Sequence, residues 1–244
     1  MSELGSVALL LALVVSAAGM VAGIAGGVTR RADLGEVARR ALLALFALAS
    51  LAILALFVAF ATLDFRIAYV ANHAARSMDL HYRLAALWGG QAGSLLLWLW
   101  MLTAYGAAAV VVNRRQKSLM PWVAAVLNGN AAFFLVLLCF VSTPFEKLPP
   151  AQVLSDGAGL NPLLQHPVMM IHPLMLYTGL VGFAVPFSFG LAAMASGELG
   201  TGWMRTTRRW TLFAWLFLSI GILLGGRWAY EVLGWGGYWA WDPV

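Results

Sequence analysis

Six stretches of the chain, 5–27, 41–63, 88–112, 122–141, 170–194 and 210–226, contain none of its 25 Asp, Glu, Lys and Arg residues. A helix crosses the hydrocarbon core of a bilayer with about 20 mostly apolar residues. Such a span excludes charge and must satisfy its backbone polar groups internally. The expected fold is therefore all-α, a polytopic transmembrane helix bundle of about six helices. The last stretch has 17 residues and is the shortest. It is expected either to run into a turn at Gly225–Arg227 or to be displaced slightly along the chain. Composition excludes the other classes. The chain is 62% hydrophobic and 10% charged, whereas a soluble domain is about 45–50% apolar and about 25% charged. Disorder requires low hydrophobicity. The single cysteine, Cys139, excludes a disulfide framework and a cysteine metal cluster, and inside a span it reads as a small buried hydrophobe.

The charges that remain give an orientation. Segments 28–40, 113–121 and 195–209 carry 10 Lys and Arg in 37 residues. Segments 1–4, 64–87, 142–169 and 227–244 carry 5 in 74 residues, together with seven of the ten acids. The positive-inside rule assigns the first set to the cytoplasm, so the N-terminus and the C-terminal tryptophan-rich segment lie outside. The net charge of +5 thus describes orientation and gives no reason to expect nucleic-acid binding. Glu3 is the only charge before Arg30, and a basic start is missing. The first stretch therefore reads as a retained helix, not a cleaved signal peptide. Gly19, Gly23 and Gly27 form a small-xxx-small row that close helix packing explains.

Residues able to do chemistry collect on the outer side. All four histidines (His73, His81, His166, His172) and four tryptophans (Trp228, Trp235, Trp239, Trp241) fall there. The outer segment 142–169 is broken by Pro144, Pro149, Pro150, Gly157, Gly159 and Pro162, which deny it a long helix. A loop of that length is more often functional than a bare connector. It leads to His172-Pro173, where the fifth span begins and Pro173 can sit in the first helical turn. His172 is open to two readings: a half-exposed interfacial histidine, or an axial ligand to haem iron. His166, also followed by proline, competes with it. His73 and His81 lie among Arg76, Asp79 and Arg83 and read as solvated polar residues.

The last 18 residues, RWAYEVLGWGGYWAWDPV, hold four Trp and two Tyr. An interfacial aromatic belt accounts for aromatics at this depth but not for the Gly-Gly-aromatic spacing. Gly234, Gly236 and Gly237 permit close backbone approach. Indoles on such a loop make a flat apolar platform with N–H donors at its edge, suited to a planar amphipathic ligand such as a porphyrin. Asp242-Pro243 has the form of an N-cap followed by proline at the first position of a helix. Arg227 can meet a propionate or pair with Glu231 four residues on. The chain has no Cys-x-x-Cys-His and is not itself a c-type haem acceptor.

These residues resemble a known family. WGGYWAWDPV (235–244), DGAGLNPLLQ (156–165), HPLMLYTGLVGF (172–183) and GSLLLW (93–98) are similar, in that family's order, to motifs of the CcmF family of cytochrome c-type biogenesis proteins, part of the haem-handling WWD superfamily. The resemblance runs from about Trp88 to Val244. It divides the chain into N-terminal helices and an outer loop (1–87) and the first part of a cytochrome c assembly domain (88–244). It implies a multi-pass protein of the bacterial plasma (inner) membrane, with its tryptophan-rich WWD loop on the outer, periplasmic face. It implies that the family takes haem b, as substrate, from the chaperone CcmE. The haem is then attached through thioethers to the Cys-x-x-Cys-His of apocytochrome c, with partners of the CcmH and CcmI type. His172 matches the outer histidine that ligates haem iron, and Trp228, Trp235, Gly236, Gly237, Trp239, Trp241, Asp242 and Pro243 are the remaining haem-binding positions.

The chain also departs from the family pattern. Gln91-Ala92 replaces a common His-Glu, and Tyr238 replaces a common Trp. CcmF proteins are more than twice as long, so the resemblance implies a fragment, an incompletely built chain or one piece of a split protein. A second outer histidine and the ligands of a permanent haem b then lie beyond Val244, and this segment alone does not complete the lyase reaction. Two related functions remain as alternatives: an NrfE-like paralogue serving one multihaem acceptor, and a CcsA-like haem transporter. A transporter needs a haem site on the inner side, where the loops hold no histidine. A third reading is a structural subunit whose aromatics form only a belt.

Overall fold

The computed structural model describes residues 1–114, 116–198 and 200–232. Nine α-helices are formed among them. Long ones are α1 (Ser2–Thr29), α2 (Ala32–Thr62), α5 (Gln91–Val112), α6 (Met120–Phe140), α7 (Pro167–Gly182), α8 (Ala184–Ser196) and α9 (Gly202–Val232). Two short ones, α3 (Ala68–His73) and α4 (Leu80–Ala85), lie in the segment between α2 and α5. Counting α7 and α8 as one crossing, six helical segments are long and apolar enough to span a bilayer. The chain is a multi-pass membrane protein.

The expected spans are present, with three differences. α9 does not stop at 226: it continues through Gly225, Gly226 and Arg227 to Val232, so no turn forms there. Glycine inside a helix costs only about 0.5–1 kcal/mol relative to alanine, and packing against α7 holds this stretch helical. α7 begins at Pro167, not near residue 170, with His166 as its N-cap. Pro167 therefore takes the first-turn position, and Pro173 sits inside the helix. The fifth crossing is broken at Phe183. Pro186 has no N–H to give the Gly182 carbonyl four residues earlier, which is where an uninterrupted helix would need one.

α1 packs against α2 and α6 through the glycine row expected from the sequence. A Cβ on Gly19 would come within 2.6 Å of Asn128 Oδ1 and of the Ala41 methyl, and one on Gly23 within 2.7 Å of the Pro121 carbonyl. Only backbone fits at those contacts. One hydrophobic core, including Leu42, Leu45, Phe60, Leu96, Leu127 and Phe189, links α2, α5, α6 and α8. α9 lies at the margin, with only Thr207, Ala214 and Gly221 buried. Their seven-residue spacing marks a single narrow seam.

The connecting segments sort into two ends of the bundle. At one end Lys147 pairs with Glu3 (2.6 Å), Ser2 Oγ donates to Phe145 O (2.7 Å), Leu148 N donates to Arg66 O (2.9 Å) and Trp228 Nε1 donates to Leu163 O (3.1 Å). At the other, Gln116 Nε2 donates to Thr206 Oγ1 (2.6 Å). The described residues of the four segments grouped by their low basic content thus share one end.

Candidate functional site

The seam of α9 faces α7, antiparallel and in constant register. Gly182 faces Ala214, Gly179 faces Leu218, Leu176 faces Gly221 and His172 faces Gly225. At each of these four levels a glycine opposes a larger residue. A Cβ on Gly221 would come within 2.6 Å of Leu176 Cα, and one on Gly225 within 2.5 Å of the His172 ring. The HPLMLYTGLVGF segment is therefore one face of a helix pair, and its last glycines exist to admit α9.

This register places the His172 ring on the α9 backbone. Nδ1 of His172 lies 2.7 Å from the Gly221 carbonyl oxygen. A carbonyl only accepts, so Nδ1 carries the proton. In the neutral ring the lone pair is then on Nε2, the atom that can bind a metal. A ligating histidine commonly has its other ring nitrogen bonded in this way, which fixes tautomer and ring orientation. His172 is half-buried.

His166 is arranged differently. Its Nδ1 accepts from the Val168 N–H (3.3 Å), capping α7, so its proton is on Nε2, which lies 3.0 Å from Glu231 Oε2. Both ring nitrogens are engaged. The sequence left His166 and His172 as competitors, and the hydrogen bonding separates them. His73 is half-buried with Nδ1 donating to Tyr69 O at 2.9 Å. His81 is exposed and stacks on Tyr82 (ring centroids 4.3 Å apart).

Arg227 takes the simpler of its two uses, meeting Glu231 Oε1 at 2.8 Å. Trp228 is half-buried, and its indole N–H holds the short turn Pro162–Leu164 to α9. Trp235, Gly236, Gly237, Trp239, Trp241, Asp242 and Pro243, with the aromatic platform they suggest, lie outside the described residues. Gln91 and Ala92 open α5.

The remaining motifs hold the connecting segments at this end of the bundle in place. Asp156 Oδ1 accepts from the N–H groups of Arg76 and Gly157, both at 2.8 Å, and these bonds hold its carboxyl below the usual range. Ala158 N donates to Ala71 O, and Gly159, at φ +80°, donates to Ala74 O. The DGAGL stretch is thereby clamped onto the chain around α3. Tyr69 donates to Leu87 O (2.9 Å), and burial raises its phenol above the ordinary value. Ser94 of GSLLLW donates to Trp88 O (3.0 Å). The residues around His172 that sequence reasoning missed are Gly221 and Gly225. Their available signal was the Gly-x3-Gly spacing in α9.

Comparison with known proteins places this architecture. The family model described as Cytochrome C assembly protein matches residues 88–244. CcmF of Haemophilus influenzae is 40% identical over 244 residues, all of this chain and 38% of that protein. CcmF of Pseudomonas aeruginosa is 42% identical over 243 residues, 99% of this chain and 37% of that protein. NrfE of Haemophilus influenzae is 42% identical over 187 residues, 76% of this chain and 29% of that protein. A solved structure titled cytochrome c heme lyase CcmF superposes with a TM-score of 0.85 at 34% identity, covering 99% of this chain and 38% of its own. The chain thus spans well under half the length of these relatives, and over that part its helices follow the path of the solved structure. With its matching residues and its matching fold, the chain belongs to the cytochrome c assembly protein family.

Proposed function

We propose that this chain forms part of the haem lyase of cytochrome c maturation, in the plasma (inner) membrane of a bacterium. It receives haem b as substrate from CcmE and presents it on the periplasmic face to the Cys-x-x-Cys-His of apocytochrome c, alongside CcmH- and CcmI-type subunits. The observation that carries this reading is His172: its Nδ1–H is fixed on Gly221, and its Nε2 makes no hydrogen bond among the described residues. The donor chemistry fits haem iron, for which neutral imidazole is a common axial ligand. His172 would hold the iron. Trp228 would flank it, and Trp235, Gly236, Gly237, Trp239, Trp241, Asp242 and Pro243 would frame the macrocycle. Residues 1–87 would supply two supporting spans and an outer loop.

Thioether formation adds a thiol S–H across a haem vinyl group. The haem supplies the reacting carbons and the acceptor supplies the sulfur. The protein's part is to orient the ring, hold its iron and exclude water. The α7–α9 register contributes rigidity, because His172 cannot rotate without breaking its bond to Gly221 or meeting Gly225. A dedicated NrfE-like paralogue is the alternative reading: NrfE of Haemophilus influenzae and CcmF of Escherichia coli each match 187 residues of the chain, at 42% and 43% identity.

The test is to purify the full-length protein with haem-loaded CcmE and record the Soret band and maturation of a reporter cytochrome. His172→Ala and Trp239→Ala should each lose haem and maturation, while His166→Ala keeps both. Normal loading and maturation in the first two variants would sink the assignment.

A further inference from the structure

An apolar groove lies away from the histidines, between α5, α7 and α9. It encloses about 710 Å³, within the range of about 300–1,000 Å³ usual for ligand pockets. Its walls are Trp100 and Tyr105 from α5 with Trp210 and Phe213 from α9. Trp100 donates its N–H to Ser50 Oγ (3.0 Å) and Tyr105 its O–H to Thr178 O (2.7 Å). Both rings therefore turn their polar atoms into the bundle. Tyr105 stands edge-on to Trp210 and Phe213, with centroids 6.3 and 6.4 Å apart.

One end of this apolar channel is cationic. Arg205 and Arg209, one turn apart on α9, line it where α5 ends. Both are exposed, and among the described residues neither is in an ion pair. From Trp100 to Val112, both lining residues of α5, the groove runs about 18 Å at 1.5 Å per residue. That is close to half of a hydrocarbon core of about 30 Å, the depth of one leaflet. A positive-inside charge bias accounts for arginines at this end of the helix. It does not account for their standing at the mouth of a leaflet-deep aromatic channel.

We propose that the groove binds an anionic phospholipid from the leaflet that meets the 113–121 and 200–209 segments. Its phosphate lies between Arg205 and Arg209, whose planar forks match phosphate oxygens. One acyl chain lies along Trp100, Tyr105, Trp210 and Phe213. This site is separate from the proposed haem site, and its failure would leave that reading untouched.

Native mass spectrometry of the purified full-length protein, titrated with dioleoyl phosphatidylglycerol or dioleoyl phosphatidylcholine, provides the test. The two lipids share their chains and differ in headgroup charge. Selective retention of phosphatidylglycerol is expected. Arg205→Ala/Arg209→Ala should weaken it roughly tenfold or more, while Arg205→Lys/Arg209→Lys, which keeps the charge and the packing stem, retains most of it. Ala104→Trp, which fills the channel from α5, should abolish retention with both arginines present. Equal retention of the two lipids, or unchanged binding in the double alanine variant, would overturn the proposal. So would stoichiometric haem at this site, or the absence of any bound lipid, which would give the groove to protein packing.

Discussion

At the scale of single residues, His166 and His172 look alike in the sequence: each stands beside a proline near one membrane boundary. They differ in which ring nitrogen is committed, and that depends on Gly221, 49 residues from His172 in the chain. No local pattern could report it. The difference predicts different outcomes for substitution. His166→Asn keeps an N-cap acceptor and should leave thermal stability nearly unchanged. His166→Ala loses the cap and should cost about 1 kcal/mol, measured by thermal unfolding in detergent. Asp156 gives a pH prediction. Backbone N–H bonds lower its carboxyl pKa in the folded state, so its contribution is complete above the unfolded value of about 3.9 and is lost as pH falls through the folded value. Protection of the Ala158 and Gly159 amides in hydrogen exchange should therefore persist at neutral pH and fall in acid below about pH 4. Asp156→Asn should flatten that acid step. A step that survives the substitution would place the titrating group elsewhere.

At the scale of elements, the helix pair α7–α9 explains both what the sequence could show and what it could not. Uncharged stretches located the spans, because lipid forbids charge in the core. They could not locate the ends of α9. Its first turns carry Arg205, Arg208 and Arg209, and its last contain Gly225 and Gly226, two signals that ordinarily stop a span. Packing overrides both. The two glycines of this stretch form an internal control. Among the described residues Gly226 has nothing within 4 Å of an added Cβ, so Gly226→Ala should raise stability by about 0.5–1 kcal/mol. Gly225 faces the His172 ring, so Gly225→Leu should overpack the seam and lower stability by about 1–3 kcal/mol. It should also pull His172 from the Gly221 carbonyl. Loss of such an outer partner weakens metal binding roughly 10–100-fold, which a haem titration followed at the Soret band would read. If Gly225→Leu destabilises the protein but leaves haem affinity intact, the register does not position the ligand.

At the scale of the whole molecule, the two-ended sorting of segments makes orientation an all-or-none property. The N-terminus, the segment after α2 and the 142–166 loop are joined by the bonds of Ser2, Lys147, Arg66 and Asp156. Trp228 ties the end of α9 to the same group. No single crossing can invert without breaking these contacts, and with six crossings both ends of the described chain share a side. The positive-inside rule weighs the two ends by their basic residues, 10 against 5, and assigns this joined end to the periplasm. Single cysteines in a Cys139→Ala background give the measurement. Ala151 and Ser118 are exposed at opposite ends. In intact spheroplasts a membrane-impermeant maleimide should label Ala151→Cys at once and Ser118→Cys only after lysis. The reverse pattern would put His172 at the cytoplasmic boundary, where the haem-attachment reading could not hold. Because the outer segments are mutually bonded, Ser77→Cys, exposed between α3 and α4, must label with Ala151→Cys. A split between them would contradict the fold itself, whichever way it faces.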